Sequence, residues 1–98
     1  MEVEKIKGYL NISHKAGYII VGGEKLEKYD KKLYLVLYDK LAQKNTRKIV
    51  EKLKENKDLI ILEIEDLESL VSIKNCKIIG LKNKKLSEII YKLINNEE

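Results

Sequence analysis

A run of apolar and aromatic residues at positions 33–39, LYLVLYD, constrains the fold of this chain more than any other feature. Six of its seven residues are apolar or aromatic, and nearly continuous runs of this kind are typical of strands buried on both faces of a sheet. Such a strand needs a covering layer on each side. The run therefore predicts the central strand of a layered α/β fold.

Helical and strand-like patterns alternate on both sides of this run. The predicted elements, in order, are a helix at 2–15 stopped by Gly17, a strand at 18–21, a short charged helix after Gly22-Gly23, the central strand, a helix at 44–56, a strand at 58–64, a short helix capped by Asp66, a strand at 77–81 and a last helix capped by Asn83. This order predicts a three-layer α/β/α sandwich with a four-stranded mixed sheet. The chain has no proline and no low-complexity linker, so we expect one domain over residues 1–98.

The charge of the chain is concentrated in its first half. Residues 1–50 carry eleven Lys and Arg against six Asp and Glu, whereas residues 51–98 carry nine against ten. A basic surface favours a polyanionic partner, of which nucleic acid is the usual one. No apolar run approaches the roughly 20 residues of a membrane span, and the N-terminus lacks a signal-peptide pattern. We therefore expect a soluble cytoplasmic protein without a membrane partner.

No combination of residues predicts catalysis, a metal or a cofactor. Cys76 and His14 are the only residues of their types, which excludes an internal disulfide and a Cys/His zinc cluster. Ser13 and His14 are adjacent and lack a third group to orient the imidazole, so we expect a surface histidine. Cys76 is expected to pack near a strand start. A strand end and a helix cap explain the acidic stretch at 63–68 without a divalent ion.

The pair Gly22-Gly23 directly precedes a short charged helix. Neither G-x-x-x-x-G-K-[ST] nor G-x-G-x-x-G is present, so a bound nucleotide cofactor is not predicted. A tight turn between a strand and a helix explains the pair by itself. Four lysines follow within ten residues, and two interpretations of them stay open: contacts to a sugar-phosphate backbone, or the solvated face of a helix. These lysines are Lys25, Lys28, Lys31 and Lys32.

Residues 10–53, together with a C-terminal segment, resemble a known family. The pieces AGYIIVGG (16–23) and NTRK (45–48), the apolar strand between them and the C-terminal KIIGLKNKKLSEIIYKL (77–93) agree with it in order. The chain resembles the ribosomal L-seven-Ae/L-thirty-e family of kink-turn RNA-binding proteins, most of all its small bacterial branch, over roughly residues 5–94. The resemblance implies an α/β/α fold and a non-enzymatic role in binding structured RNA.

The family's recognition segment, Gly-x-Asn-Glu-x-x-Lys, transfers only in part. Gly22 matches its glycine and Lys28 its lysine, whereas Glu24 stands in the place of the asparagine and Lys25 in the place of the glutamate. A carboxylate cannot donate as an Asn amide does, and a lysine cannot accept as a carboxylate does. The family's apolar loop falls at 72–76, where Ile73 would supply the contact.

The resemblance and the charge together predict a ribosome-associated, monomeric protein that binds ribosomal RNA or another kink-turn RNA. The predicted RNA-binding residues are Gly22, Gly23, Glu24, Lys25, Lys28, Lys31, Lys32 and Ile73. Two alternatives remain open. One is a protein-interaction domain that keeps the fold without kink-turn recognition, and the other is a stand-alone relative of the domains that precede the catalytic part of some ribose methyltransferases.

Overall fold

The computed structural model describes residues 2–95, and helices and strands alternate along this part of the chain. These residues form five helices and four strands, in the order predicted from the sequence. The elements are α1 (Val3–Lys15), β1 (Ile19–Val21), α2 (Gly23–Lys28), β2 (Leu35–Asp39), α3 (Lys44–Leu53), β3 (Ile60–Ile64), α4 (Leu67–Val71), β4 (Ile78–Leu81) and α5 (Lys84–Ile94).

The four strands form one mixed sheet in the order β1-β4-β2-β3. Strand β4 is antiparallel to both of its neighbours, with Gly80 between Ile20 of β1 and Val36 of β2. Strands β2 and β3 are parallel. The predicted mixed sheet is therefore confirmed, and β2 has a hydrogen-bonded partner on each side.

Two apolar layers cover the two faces of this sheet. One core cluster includes Ile6 and Leu10 of α1, Leu67 of α4 and Ile90 of α5. The other includes Leu26 of α2 and Val50 of α3. Helices α1, α4 and α5 thus pack on one face and α2 and α3 on the other, which confirms the α/β/α sandwich.

The side chains of β2 divide between these two layers. Leu35 and Leu37 belong to the cluster under α1, α4 and α5, whereas Val36 belongs to the cluster under α2 and α3. Alternate side chains of a strand point to opposite faces of its sheet, so a strand covered on both faces must be apolar at successive positions. Leu35, Val36 and Leu37 are fully buried. This burial explains the run from which the fold was predicted.

The connection from α3 to β3 is longer than the sequence predicted. The helix was expected to reach residue 56 and the strand to begin at 58, but they end and begin at Leu53 and Ile60. The side chain of Asn56 accepts a hydrogen bond from Asp58 N–H at 3.1 Å, and the Asn56 carbonyl accepts from Leu59 N–H at 3.1 Å. This turn uses amides that a longer β3 would need for pairing.

The predicted helix caps and the helix stop are confirmed. Asn83 Oδ1 accepts from Leu86 N–H at 2.9 Å, and Asp66 Oδ1 accepts from Ser69 N–H at 3.3 Å. Hydrogen bonds from Ser69 hold the pKa of the Asp66 carboxyl below its usual value. Gly17 follows α1 with φ +77°, a conformation that glycine adopts without steric cost.

Candidate nucleic-acid interface

The first of the predicted site residues, Gly22 and Gly23, lie at one end of the sheet. At this end β1, β2 and β3 finish and β4 starts. We call this the glycine end; it comprises residues 22–23, 40–43, 65–66 and 72–77. Gly22 N–H donates to the Ile78 carbonyl at 3.0 Å, and Asp39 N–H donates to the Lys77 carbonyl at 2.8 Å. Segments far apart in the sequence are therefore hydrogen-bonded neighbours here.

Gly22 and Gly23 allow the chain to turn from β1 into α2 for two different reasons. Gly22 has φ +97° and ψ 143°, a backbone region that is essentially restricted to glycine, although a Cβ there would meet no atom within 4 Å. At Gly23 the restriction is space, because a Cβ would lie 2.6 Å from Ile49 Cδ1. The pair fixes the start of α2 against α3.

Four polar side chains of α2 are exposed: those of Glu24, Lys25, Glu27 and Lys28. Lys28 Nζ lies 3.6 Å from Glu24 Oε1, and the side chains are 76% and 85% exposed, respectively. An ion pair so open to water is worth little, and a phosphate can replace the carboxylate as the partner of the amine. In this ion pair the Lys28 amine lies beside Glu24, at the start of α2.

Lys31 and Lys32 lie toward the opposite end of the sheet, where β2 begins and β4 finishes. Tyr34 N–H donates to the Leu81 carbonyl at 3.0 Å, which places the segment before β2 beside the last residue of β4. Lys32 Nζ is 5.4 Å from the centroid of the Tyr34 ring. The structure thus brings Gly22, Gly23, Glu24, Lys25 and Lys28 together and separates Lys31 and Lys32 from them.

Ile73 lies at the glycine end, in the loop between α4 and β4. Its side chain is half-buried and packs against the core cluster under α1, α4 and α5. Ser72 and Asn75 on either side of it have φ +58° and +61°. The loop therefore brings Ile73 to the predicted end of the sheet, with only part of the side chain open to a ligand.

Asp39 is a structural residue of this end that the sequence analysis did not identify. Its carboxylate is buried and accepts from Leu41 N–H at 2.7 Å and from Leu67 N–H at 3.0 Å, and Lys77 Nζ lies 4.0 Å away. Buried carboxylates need such partners because their desolvation is costly. Asp39 thereby ties the end of β2 to the start of α4; an aspartate that closes an apolar strand was the available signal.

Arg47 holds the adjacent 40–43 loop. Its Nε donates to the Ala42 carbonyl at 2.9 Å, and a second guanidinium nitrogen donates to the Lys40 carbonyl. The loop presents Leu41, whose side chain is 75% exposed. The sequence analysis noted the NTRK piece only as part of a resemblance, and it missed this apolar side chain at the glycine end.

Ser13, His14 and Cys76, the other residues that the sequence singled out, are not grouped into one site. Ser13 is buried and donates to the Tyr9 carbonyl at 2.8 Å, while His14 is exposed, as expected. Cys76 is buried just before β4, as predicted, and this burial raises the pKa of its thiol. Across residues 2–95, no three His, Cys, Asp or Glu side chains are grouped so as to hold a metal ion. No helix in this part of the chain is long and apolar enough to cross a membrane.

Comparison with known proteins relates the chain to others by structure. No protein-family model matches it, and no curated protein sequence matches it. A solved structure of a protein of unknown function from Bacillus halodurans C is similar to it with a TM-score of 0.79 and 19% identity, over 93% of this chain and 97% of the other. At this identity the likeness concerns the fold alone.

Proposed function

We propose that this chain is a non-enzymatic RNA-binding protein of the cytoplasmic translation apparatus that binds structured RNA at the glycine end of its sheet. The observation that carries the proposal is the contact between the glycine turn and the start of β4, where Gly22 N–H donates to the Ile78 carbonyl at 3.0 Å. This contact sets segment 22–28 beside the start of the strand that follows loop 72–76, so the two segments that the family resemblance implicates lie at the same end of the sheet. The RNA would be a kink-turn or a related internal loop.

The polar side chains near the glycine turn can make two kinds of contact with RNA, to phosphates and to bases. The amines of Lys25 and Lys28 are exposed and can neutralise phosphates, which gives affinity and orientation. The Glu24 carboxylate can accept hydrogen bonds from the amino groups of unpaired bases. This contact would distinguish bases, which the phosphate contacts of the lysines do not. Gly22 and Gly23 have no side chain that would hold the sugar-phosphate backbone away.

The first test is a gel shift with a kink-turn RNA against a scrambled duplex, for the wild type and for Lys28→Ala. We expect the variant to bind the kink-turn RNA more weakly, with a salt slope reduced by about 1, because one phosphate contact is lost. Lys54→Ala is the matched control, since Lys54 also pairs with a glutamate on an exposed helical surface, at 3.2 Å from Glu51. Equal affinity and equal salt slope for the wild type and Lys28→Ala would contradict the proposal.

A second candidate function is docking of a protein partner at the same end of the sheet. It is favoured by Leu41, whose side chain is exposed on a loop that Asp39 and Arg47 hold in place. Large apolar side chains on rigid surface loops are common at protein interfaces. If Leu41→Ser abolishes a cellular association while the kink-turn RNA is not bound by the wild type, this candidate replaces the first.

A further inference from the structure

A groove at the opposite end of the sheet lies apart from the proposed RNA-binding residues of α2. It runs between α5 and the first residues of β2 and β3, on the face covered by α1, α4 and α5, and its volume is about 400 Å³. Small-molecule sites fall in the range of roughly 300–1,000 Å³. The side chains that give the groove its chemistry are Lys32, Tyr34, Ile60, Lys84, Tyr91 and Lys92.

The groove exists because the helices of this face leave the start of β3 uncovered. Leu62 and Ile64 of β3 pack with the core cluster of this face, but Ile60, which points to the same face, is 40% exposed. Leu35 of β2 is fully buried and forms the floor beside Ile60. The apolar surface that the floor offers to a ligand is therefore that of Ile60.

One wall of the groove is a single face of α5. Lys84, Glu88 and Tyr91 line it, and positions separated by four and seven residues lie on the same side of a helix. The segment before β2 contributes Tyr34 and Lys32. Both tyrosines are half-buried, so each ring is held by the protein and still presents surface to the groove.

The chemistry of the groove combines flat rings with cations. Phenol rings and an apolar floor stack well on a planar heterocycle, and three lysine amines are suited to a phosphate. Two carboxylates, those of Asp58 and Glu88, also line the groove and can accept hydrogen bonds from base amino groups or ribose hydroxyls. These carboxylates oppose a ligand that is anionic throughout, whereas a ligand that combines a phosphate with several hydrogen-bond donors matches both kinds of charge.

We propose that this groove is a nucleotide-binding site, with the base stacked on Tyr34 or Tyr91 and the phosphate among Lys32, Lys84 and Lys92. The nucleotide is either a free nucleoside monophosphate or an unpaired nucleotide of a bound RNA. The proposal does not depend on RNA binding at the glycine end. Lys32, which the sequence analysis assigned to one site with Gly22, has a separate role here.

The test is a titration of the whole chain with AMP, followed by the backbone amide signals in NMR spectra. We expect saturable shifts confined to the amides of Tyr34, Leu35, Ile60 and the α5 residues 84–92. Adenosine, which lacks the phosphate, and ribose 5-phosphate, which lacks the base, are the comparison ligands. Both should bind at least about tenfold more weakly than AMP, because each lacks one of the two interactions.

Two variants and one control assign the binding to the groove. Tyr34→Leu keeps an apolar side chain and removes the ring, and we expect about tenfold weaker AMP binding. Lys84→Gln should weaken binding severalfold and reduce its salt dependence. Lys48→Gln, an exposed lysine of α3 on the other side of the sheet, should leave AMP binding unchanged. Unfolding midpoints of all three variants show that the fold is retained.

A single-stranded pentanucleotide of adenosine separates the two sources of the nucleotide. Tighter binding than AMP at the same amides assigns the site to RNA, and weaker binding assigns it to a free nucleotide. The proposal fails if millimolar AMP gives no saturable shifts in these residues, or if ribose 5-phosphate binds as tightly as AMP. Because Lys28→Ala leaves the groove intact, its effect on kink-turn binding is independent of these outcomes.

Discussion

Two neighbouring glycines at the start of α2 are required for different structural reasons, although they form one motif in the sequence. Gly22 is required for its backbone angles, and Gly23 for the space that Ile49 occupies. The sequence indicated a turn at this point, because glycines between a strand and a charged helix are typical of one. Which glycine carries the positive φ could not be predicted, since it depends on the angle at which β1 enters α2.

The unequal roles of the glycines lead to a stability prediction. Gly22→Ala should lower the free energy of unfolding by about 1–3 kcal/mol, because alanine is strained at φ +97° and ψ 143°. Gly23→Ala should cost less, since the end of the half-buried Ile49 side chain can shift. Urea denaturation followed by circular dichroism measures both.

The control for these substitutions is Gly8→Ala, in the exposed middle of α1, where a Cβ meets no atom within 4 Å. We expect this variant to be more stable than the wild type by about 0.5–1 kcal/mol, because glycine is a poor helix former. A Gly22→Ala protein as stable as Gly8→Ala would contradict the conformational role of Gly22.

Single elements were predictable from the sequence where one local signal decides them. The apolar run of β2 and the caps at Asp66 and Asn83 are such cases, because burial on two faces and side-chain capping leave direct marks in the sequence. The start of β3 was predicted two residues early, since Leu59 extends the apolar run into a turn that Asn56 closes. Strand propensity alone cannot show which backbone N–H groups will be hydrogen-bonded in a turn and so be lost to strand pairing.

The cap of α5 supplies a prediction at this scale. Asn83→Ala removes the acceptor of the 2.9 Å hydrogen bond from Leu86 N–H and should lower the free energy of unfolding by about 1 kcal/mol. Asn83→Gly should cost only a few tenths of that amount, because glycine is tolerated at this helix position. Thermal and urea unfolding of the two variants provide the comparison.

Asn11→Ala is the control for the cap, since Asn11 is exposed within α1 and alanine is a better helix former. It should be neutral or slightly stabilising. If Asn83→Ala and Asn11→Ala have the same stability, the hydrogen bond at Leu86 contributes nothing, and α5 depends on packing alone.

For the molecule as a whole, strand order was the information that the sequence lacked. The glycine turn and its lysines were recognisable as a local pattern, but β4 lies between β1 and β2, and apolar runs do not encode neighbours. Without that order, Lys31 and Lys32 could not be separated from Gly22. The neighbourhood of Gly22 and Ile73 was foreseen only through the family resemblance, since it joins parts of the chain about fifty residues apart.

Cys76 is a probe of the opening of the whole fold. The thiol is buried in the core under α1, α4 and α5, and burial raises its pKa, so the reactive thiolate is scarce at neutral pH. We expect a thiol reagent such as dithionitrobenzoate to label Cys76 slowly in the native protein and fast in urea. The native rate should rise in Gly22→Ala about tenfold for each 1.4 kcal/mol of stability lost, because the rate follows the population of the open state. Equally fast labelling with and without urea would show that the site opens locally.

Strand β4 is the last strand in the sequence, yet it lies between the first two. Ile20 pairs with Gly80, sixty positions later, and within residues 2–95 β4 is the one strand that borders β1. While a ribosome makes the chain, residues 19–21 therefore stay without a sheet partner until residues 78–81 have left the exit tunnel. Closure over so long a segment is entropically costly and slows folding. Until residues 78–81 emerge, the apolar side chains of β1 and β2 lack the strand that joins them, so the nascent chain exposes this apolar surface for longer than a sheet built in sequence order would.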